Sequence, residues 1–154
     1  MNPFEQIKKI LDTEKVAYQI IDHEPVHTSK QAAQVRGLSM AEGAKSLLIK
    51  SNAAFFLVIL PGNRKLDSKK IKTLLGTKKL RFATPEEVVQ IMHCKIGACY
   101  PFGEIIGLKT VVDIELSKNT FISFNPGLHD KTIRIRWEDY QKITKPEIKD
   151  ISKN

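Results

Sequence analysis

The chain lacks most of the signatures that assign a protein to a large enzyme class. It has no nucleophile elbow, no Walker loop, no dinucleotide fingerprint and no zincin helix. With them go the chemistries those motifs carry, and no cofactor is expected. Cysteine is scarce: Cys94 and Cys99 are the only two, in a segment that also holds His93. A zinc site ordinarily draws about four ligands from two separated pairs. No second pair exists, so no metal is expected, and the thiols should be reduced with at least one of them in the core. No stretch approaches the roughly 18 apolar residues that cross a bilayer. Met1-Asn2-Pro3-Phe4-Glu5 has neither a basic n-region nor an apolar h-region. A cytosolic protein with no membrane partner is the expectation.

Acidic residues are also few where basic ones concentrate. From Arg64 to Arg81, eight basic residues face Asp67 alone, which supplies nearly all of the chain's formal charge of +8. Charge gathered in one helix and its flanks makes a field that attracts a phosphate backbone; the alternative is a solvated lysine-rich helix. Lys69, Lys70 and Lys72 are the candidate contacts to a nucleic acid.

What is present fits a single globular domain over residues 1–154, with 42% hydrophobic and 27% charged residues. Asn2 caps a first helix with Pro3 at its first position, and Phe4, Ile7, Ile10 and Leu11 recur at helical spacing. A strand over Ala17 to Asp22 and a loop around Pro25 follow. Thr28 or Ser29 caps a second helix that stops at Arg36-Gly37. Lys45 to Lys50 and Ala54 to Leu60 read as a hairpin, and the second run is apolar almost throughout, so both its faces should be covered. The basic helix begins at Asp67 or Ser68 and ends at Gly76. A short strand, Lys79 to Phe82, precedes a capping box of Thr84, Pro85 and Glu87 that opens a helix to about Met92. Short strands at Thr110 to Glu115, Thr120 to Phe124 and Thr132 to Arg136 lead to a last helix from Trp137. The polar tail from about residue 145 is expected to dock loosely. Without regular β-α-β alternation, the fold class is α+β.

Three groups of residues can carry chemistry. Lys45 opens a strand whose other side chains are mostly apolar; its ammonium either reaches the rim or projects into a cleft to hold a phosphate or a developing oxyanion. Gly97-Ala98-Cys99-Tyr100-Pro101-Phe102-Gly103 permits a sharp backbone path that presents amide and carbonyl groups to a ligand, or forms an ordinary tight turn. Asn125-Pro126-Gly127-Leu128-His129 is a turn after an apolar strand, and His129 either orients a substrate or is a surface residue. His23 and His27 read as polar loop residues without chemistry.

Taken together and in order, these segments resemble the YbaK family and the related editing domain of bacterial prolyl-tRNA synthetases. The likeness runs from His23-Glu24-Pro25-Val26-His27-Thr28 and Ala32-Ala33 through Ala44-Lys45-Ser46-Leu47, Leu60-Pro61-Gly62 and Leu66-Asp67. It continues in Lys79 to Ala83 with Glu86-Glu87, Gly97 to Gly103, Asp113, and Phe124-Asn125-Pro126-Gly127 with His129. The resemblance implies a compact, barrel-like mixed sheet with flanking helices, holding a pocket for the amino acid and terminal adenosine of a mischarged tRNA. It implies hydrolysis of the aminoacyl ester, with Lys45 as the essential residue. Thr28, Ser46, Gly97 to Gly103, Asn125 and His129 would bind substrate, with Cys99 and Tyr100 deciding the amino acid. Alanine, cysteine, serine and proline-like substrates stay open. The partners implied are aminoacylated tRNA and an aminoacyl-tRNA synthetase. Two other readings compete: a tRNA- or synthetase-binding module without turnover, and a sensor of free amino acids or nucleotides.

Overall fold

The computed structural model describes residues 1–52 and 54–154, and the side chains of all of these except Ser29 and Arg36. Helix α1 (Pro3–Thr13) starts where expected: the Asn2 side chain accepts from the Glu5 N–H, and the helix buries Pro3, Ile7 and Leu11. Strand β1 (Tyr18–Asp22) follows. Helix α2 (Ser29–Arg36) is capped by Thr28, whose side chain accepts from the Gln31 N–H, and it stops at left-handed Gly37. After a 3-10 turn at Met40–Glu42, strands β2 (Ala44–Ser51) and β3 (Ala54–Pro61) form an antiparallel hairpin in unbroken register.

Strand β4 (Lys65–Leu66) leads into helix α3 (Ser68–Leu75), the basic helix, with Asp67 accepting from the Lys69 and Lys70 amides and Gly76 closing it. Strand β5 (Arg81–Phe82) precedes helix α4 (Pro85–Met92). Its capping box is complete: Thr84 Oγ1 accepts from the Glu87 N–H while Glu87 accepts from the Thr84 N–H, and Arg81 grips the same carboxylate at 2.8 and 3.0 Å. Strands β6 (Thr110–Asp113), β7 (Phe121–Phe124) and β8 (Lys131–Arg136) then lead to helix α5 (Trp137–Thr144).

The sheets explain the α+β architecture. One runs β1-β8-β7, all antiparallel. The larger has β5, β2, β3 and β6 in order, with β9 (Glu147–Lys149) outermost and both β6 pairings parallel. A parallel bridge between Gly43 and Ser123 ties the two together, so the arrangement curls like a barrel without closing. β3 is central and covered on both faces, as its apolar run requires: Leu57 and Ile59 enter one apolar cluster, while Phe56, Val58 and Leu60 enter a second one beneath α3. Burying each such side chain stabilises the fold by roughly 1.5–3 kcal/mol, so an ionised group at Val58 would break the central layer.

The tail from residue 145 is not loosely docked. β9 joins the large sheet, and β10 (Ser152–Lys153) pairs with β4. Its anchor is Asp113, a fully buried carboxylate that accepts from the Ile151 N–H at 3.0 Å and from Ser152 Oγ at 2.7 Å. Ile151 is itself fully buried in the second cluster, an apolar residue that the polar composition of the tail conceals. Among the described residues no helix is long and apolar enough to cross a membrane.

Candidate active site

A cleft opens where β2 loses one of its neighbours. β3 pairs with β2 along its whole length, from Ala44 opposite Pro61 to Ser51 opposite Ala54. On the other edge, β5 reaches β2 only at Ile49 and Lys50. The β7 contact on that edge is the Gly43–Ser123 bridge, just before the strand begins. Two neighbours that hold opposite ends of one edge diverge between them, and the gap is a cleft of about 300 Å³. Its lining includes five consecutive strand residues, Ala44 to Leu48. Strand side chains alternate between faces, so a pocket on one face would touch every second residue. Contact with all five means that the open strand edge itself is the wall.

The remaining walls are mostly small or apolar. Val26, His27 and Thr28 come from the loop before α2, and Ala32 and Ala33 from α2 itself; Ala83 and Val88 lie at the start of α4, and Gly97 and Cys99 in the loop after it. Phe82 and Ile96 stand at the mouth with 60% and 54% of their surface exposed. Gly97 is required by its backbone: φ is +89°, and a Cβ there would meet His129 Cε1 at 3.1 Å.

Six of the residues singled out from the sequence meet at this cleft: Thr28, Lys45, Ser46, Gly97, Cys99 and Asn125. Lys45 and Ser46 occupy opposite faces of β2 and both border the gap. Lys45 is half-buried, and among the described residues its ammonium has no hydrogen-bond or ion-pair partner. Burial, reinforced by the nearby Lys65 charge, holds its pKa below the usual lysine value. Ser46 is 9% exposed, and among the described residues its hydroxyl has no hydrogen-bond partner. Asn125 braces its own turn, donating to the Leu128 carbonyl at 3.1 Å.

Other expected binding residues are not at the wall. Ala98, Tyr100, Pro101, Phe102 and Gly103 do not border the cleft; all are buried. Tyr100 donates to the Met92 carbonyl at 2.8 Å, and Tyr140 donates to the Pro101 carbonyl at 2.7 Å. Phe102 packs against Phe124 and Tyr140, and a Cβ at Gly103 would come within 2.6 Å of the Leu108 carbonyl oxygen. This half of the loop faces the core because its large aromatic side chains bury more apolar area there than an open cleft allows. Only Cys99 of the two residues expected to decide the amino acid lies at the wall. Its thiol is held below its ordinary pKa by a hydrogen bond from Cys94, which is itself raised; both thiols are free and buried.

His129 sits just behind the wall. Its Nδ1–H donates to the Val26 carbonyl at 2.7 Å, and its ring lies 4.6 Å from that of His27. It therefore sets the position of two residues that do line the cleft. His27, read from the sequence as a polar loop residue, and Phe82, which was not among the expected site residues, are at the wall because of partners far away in the chain, His129 and Ile49. The three lysines of α3 do not border the cleft. Lys70 is committed elsewhere, bonded to Asp150 at 2.9 Å and to the Ser152 carbonyl at 3.0 Å. His23 bonds Glu24 and Thr132 and is a structural loop residue.

A small α+β domain that, among the described residues, sets the half-buried, unpaired Lys45 ammonium beside an open strand edge has the form of a site for a small ligand with a developing negative charge. Residues 23–143 match the model of the aminoacyl-tRNA editing domain, and the chain belongs to that family. It is 29% identical over 144 residues to the multifunctional Ser/Thr-tRNA deacylase ProXp-y of Escherichia coli (strain K12), covering 90% of this chain and 86% of that one. It is 26% identical over 141 residues to the prolyl-tRNA editing protein ProX of Acetoanaerobium sticklandii, covering 88% and 86%. In fold it matches the crystal structure of a candidate trans-editing enzyme for prolyl tRNA synthetase, with a TM-score of 0.87 at 24% identity over 100% of this chain and 99% of that one.

Proposed function

We propose that the chain is a trans-acting aminoacyl-tRNA deacylase, a hydrolase that releases a small, wrongly attached amino acid from the 3′ end of tRNA. The observation that carries this reading is the editing-domain match over residues 23–143 together with Lys45 on the wall of the cleft. Water attacks the acyl carbon, the bond from that carbon to the ribose oxygen breaks, and the proton of the water ends on the ribose. The products are a free amino acid and intact tRNA. Among the described residues none of the cleft-lining side chains is a carboxylate, so backbone groups along the β2 edge orient the water and substrate. Lys45 holds the substrate and stabilises the developing oxyanion. Cys99 and Gly97 limit the space for the amino acid, and Thr28 and Asn125 border the same space. Such a site supplies a second sieve where binding alone cannot reject a similar small amino acid.

The tRNA body is gripped by the basic segment, with Lys69 and Lys72 of α3 as contacts and Lys70 holding the C-terminal strand. The candidate trans-editing enzyme for prolyl tRNA synthetase that shares this fold supports a synthetase as the upstream source of the mischarged tRNA. The test is incubation with a panel of mischarged tRNAs in isotopically labelled water. Free amino acid carrying the label, released beside intact tRNA, is expected. Binding of tRNA with steep salt dependence and no release would favour a non-catalytic module instead.

A further inference from the structure

Buried hydroxyls almost always have partners, and leaving one unpaired costs a folded protein free energy. Ser46 Oγ is the buried side-chain polar atom in the described residues that has none. It is not hidden in the protein interior at random. Ser46 lies at the middle of the open stretch of β2, opposite Ile59, with Ala44 and Leu48 on the same face and the cleft beside all three. The Leu48 carbonyl accepts from the Ala83 N–H on the side away from β3. Alternation along the strand therefore turns the Ser46 N–H and C=O toward the same gap. With no bond holding its present rotamer, the hydroxyl is free to swing between staggered positions and meet a ligand.

Resting on the deacylase reading above, we propose that Ser46 is the specificity-determining residue for the amino acid, and that it selects one carrying a side-chain hydroxyl, serine or threonine, over the equally small alanine. The surroundings decide which part of the substrate it reads. An ammonium group pushed to this depth would meet no carboxylate among the described lining residues, and a buried charge without a counter-charge is costly. The Ser46 backbone carbonyl can accept from the α-amino group at the strand edge. A neutral hydroxyl both donates to and accepts from Ser46 Oγ, so pairing with it costs no charge burial. Alanine in the same place leaves Ser46 unpaired, as it is in the free protein, and gains nothing from it. A site that hydrogen-bonds a substrate hydroxyl discriminates strongly against the analogue that lacks it.

The experiment charges one tRNA body with serine, threonine or alanine, so that contacts to the nucleic acid cancel, and measures kcat/KM for each with wild-type protein, Ser46→Ala and Ser46→Thr. Wild type should prefer serine over alanine by roughly 2- to 12-fold, the net gain of one neutral hydrogen bond. Ser46→Ala should collapse that ratio to near one, and Ser46→Thr, which restores a hydroxyl, should recover at least part of it. Thermal melting of free Ser46→Ala should give a Tm at or above that of wild type, because an unpaired buried hydroxyl has been removed. An equal loss on all three substrates, or a serine-to-alanine ratio untouched by Ser46→Ala, would overturn the proposal while leaving the deacylase reading intact. No release of any amino acid by folded wild-type protein would overturn both.

Discussion

Replacing Lys45 by alanine should separate catalysis from folding. The ammonium is half-buried, has no partner among the described residues, and sits near the like charge of Lys65. Two unit charges about 4 Å apart interact by about 4 kcal/mol at an effective dielectric of ~20. Exposure of part of the side chain reduces this, leaving ~2–3 kcal/mol of stabilisation for an oxyanion formed beside it. Lys45→Ala should therefore lower kcat/KM for aminoacyl-tRNA roughly 30- to 150-fold. The same change removes no favourable ion pair, so the Tm of the free protein should not fall. The two readouts are deacylation of a mischarged tRNA and a thermal melt followed by circular dichroism. Since the charged form is the active one, turnover should also decline on the alkaline side as pH rises through a lysine pKa depressed by burial, and Lys65→Ala should move that decline to higher pH. A Lys45→Ala variant that stays within threefold of wild type would refute a charge-stabilising role. A variant that loses activity only because it unfolds would refute the separation.

Glu87 is held at a pKa of about 2, first by the Arg81 guanidinium and then by the Thr84 N–H. Because its folded-state pKa lies below the ordinary carboxylate value, its contribution is fully present above that value and is lost as pH falls toward about 2. The acid side of the stability profile should flatten in Glu87→Gln, measured by urea melts across that range. Glutamate at both Lys69 and Lys72, with Lys70 retained to hold the C-terminal strand, should raise KM for tRNA and reduce its salt dependence. Turnover of a minimal aminoacyl ester should change far less; equal loss on both substrates would make α3 purely structural. Asp113→Ala should destabilise the fold by about 3 kcal/mol, since it leaves the buried Ile151 N–H and the proton of the Ser152 hydroxyl without their acceptor, the Ser152 oxygen keeping only its bond from Arg64. Limited proteolysis should then cut first after residue 145, and an intact tail at unchanged stability would refute the anchor.

Local chemistry made much of this fold legible. Thr84, Pro85 and Glu87 announce their helix because capping is settled within four residues. The apolar run of β3 announces a strand covered on both faces. The two-residue strands β4 and β10 carry no comparable signal; they exist because Asp113 binds the chain at Ile151 and Ser152, 38 and 39 residues away. The cleft was half legible for the same reason. Glycines and a proline marked the 97–103 loop as a place of sharp backbone turns, but not that Tyr100 and Phe102 would turn inward while Gly97 and Cys99 faced the gap. Lys45 and Ser46, neighbours on opposite faces of a strand, share a site only because β5 and β7 leave the β2 edge open between them. That is a property of strand pairing across the whole chain. Ser46 gave no sign of an unpaired hydroxyl until its neighbours were in place.

The most direct measurement is the rate at which an amino acid leaves tRNA charged with serine, followed with protein in excess over substrate. A single exponential well above spontaneous hydrolysis, and reduced at least 30-fold in Lys45→Ala, is the predicted result. Release at the spontaneous rate by folded wild-type protein, for serine and for every other small amino acid tried, would contradict it.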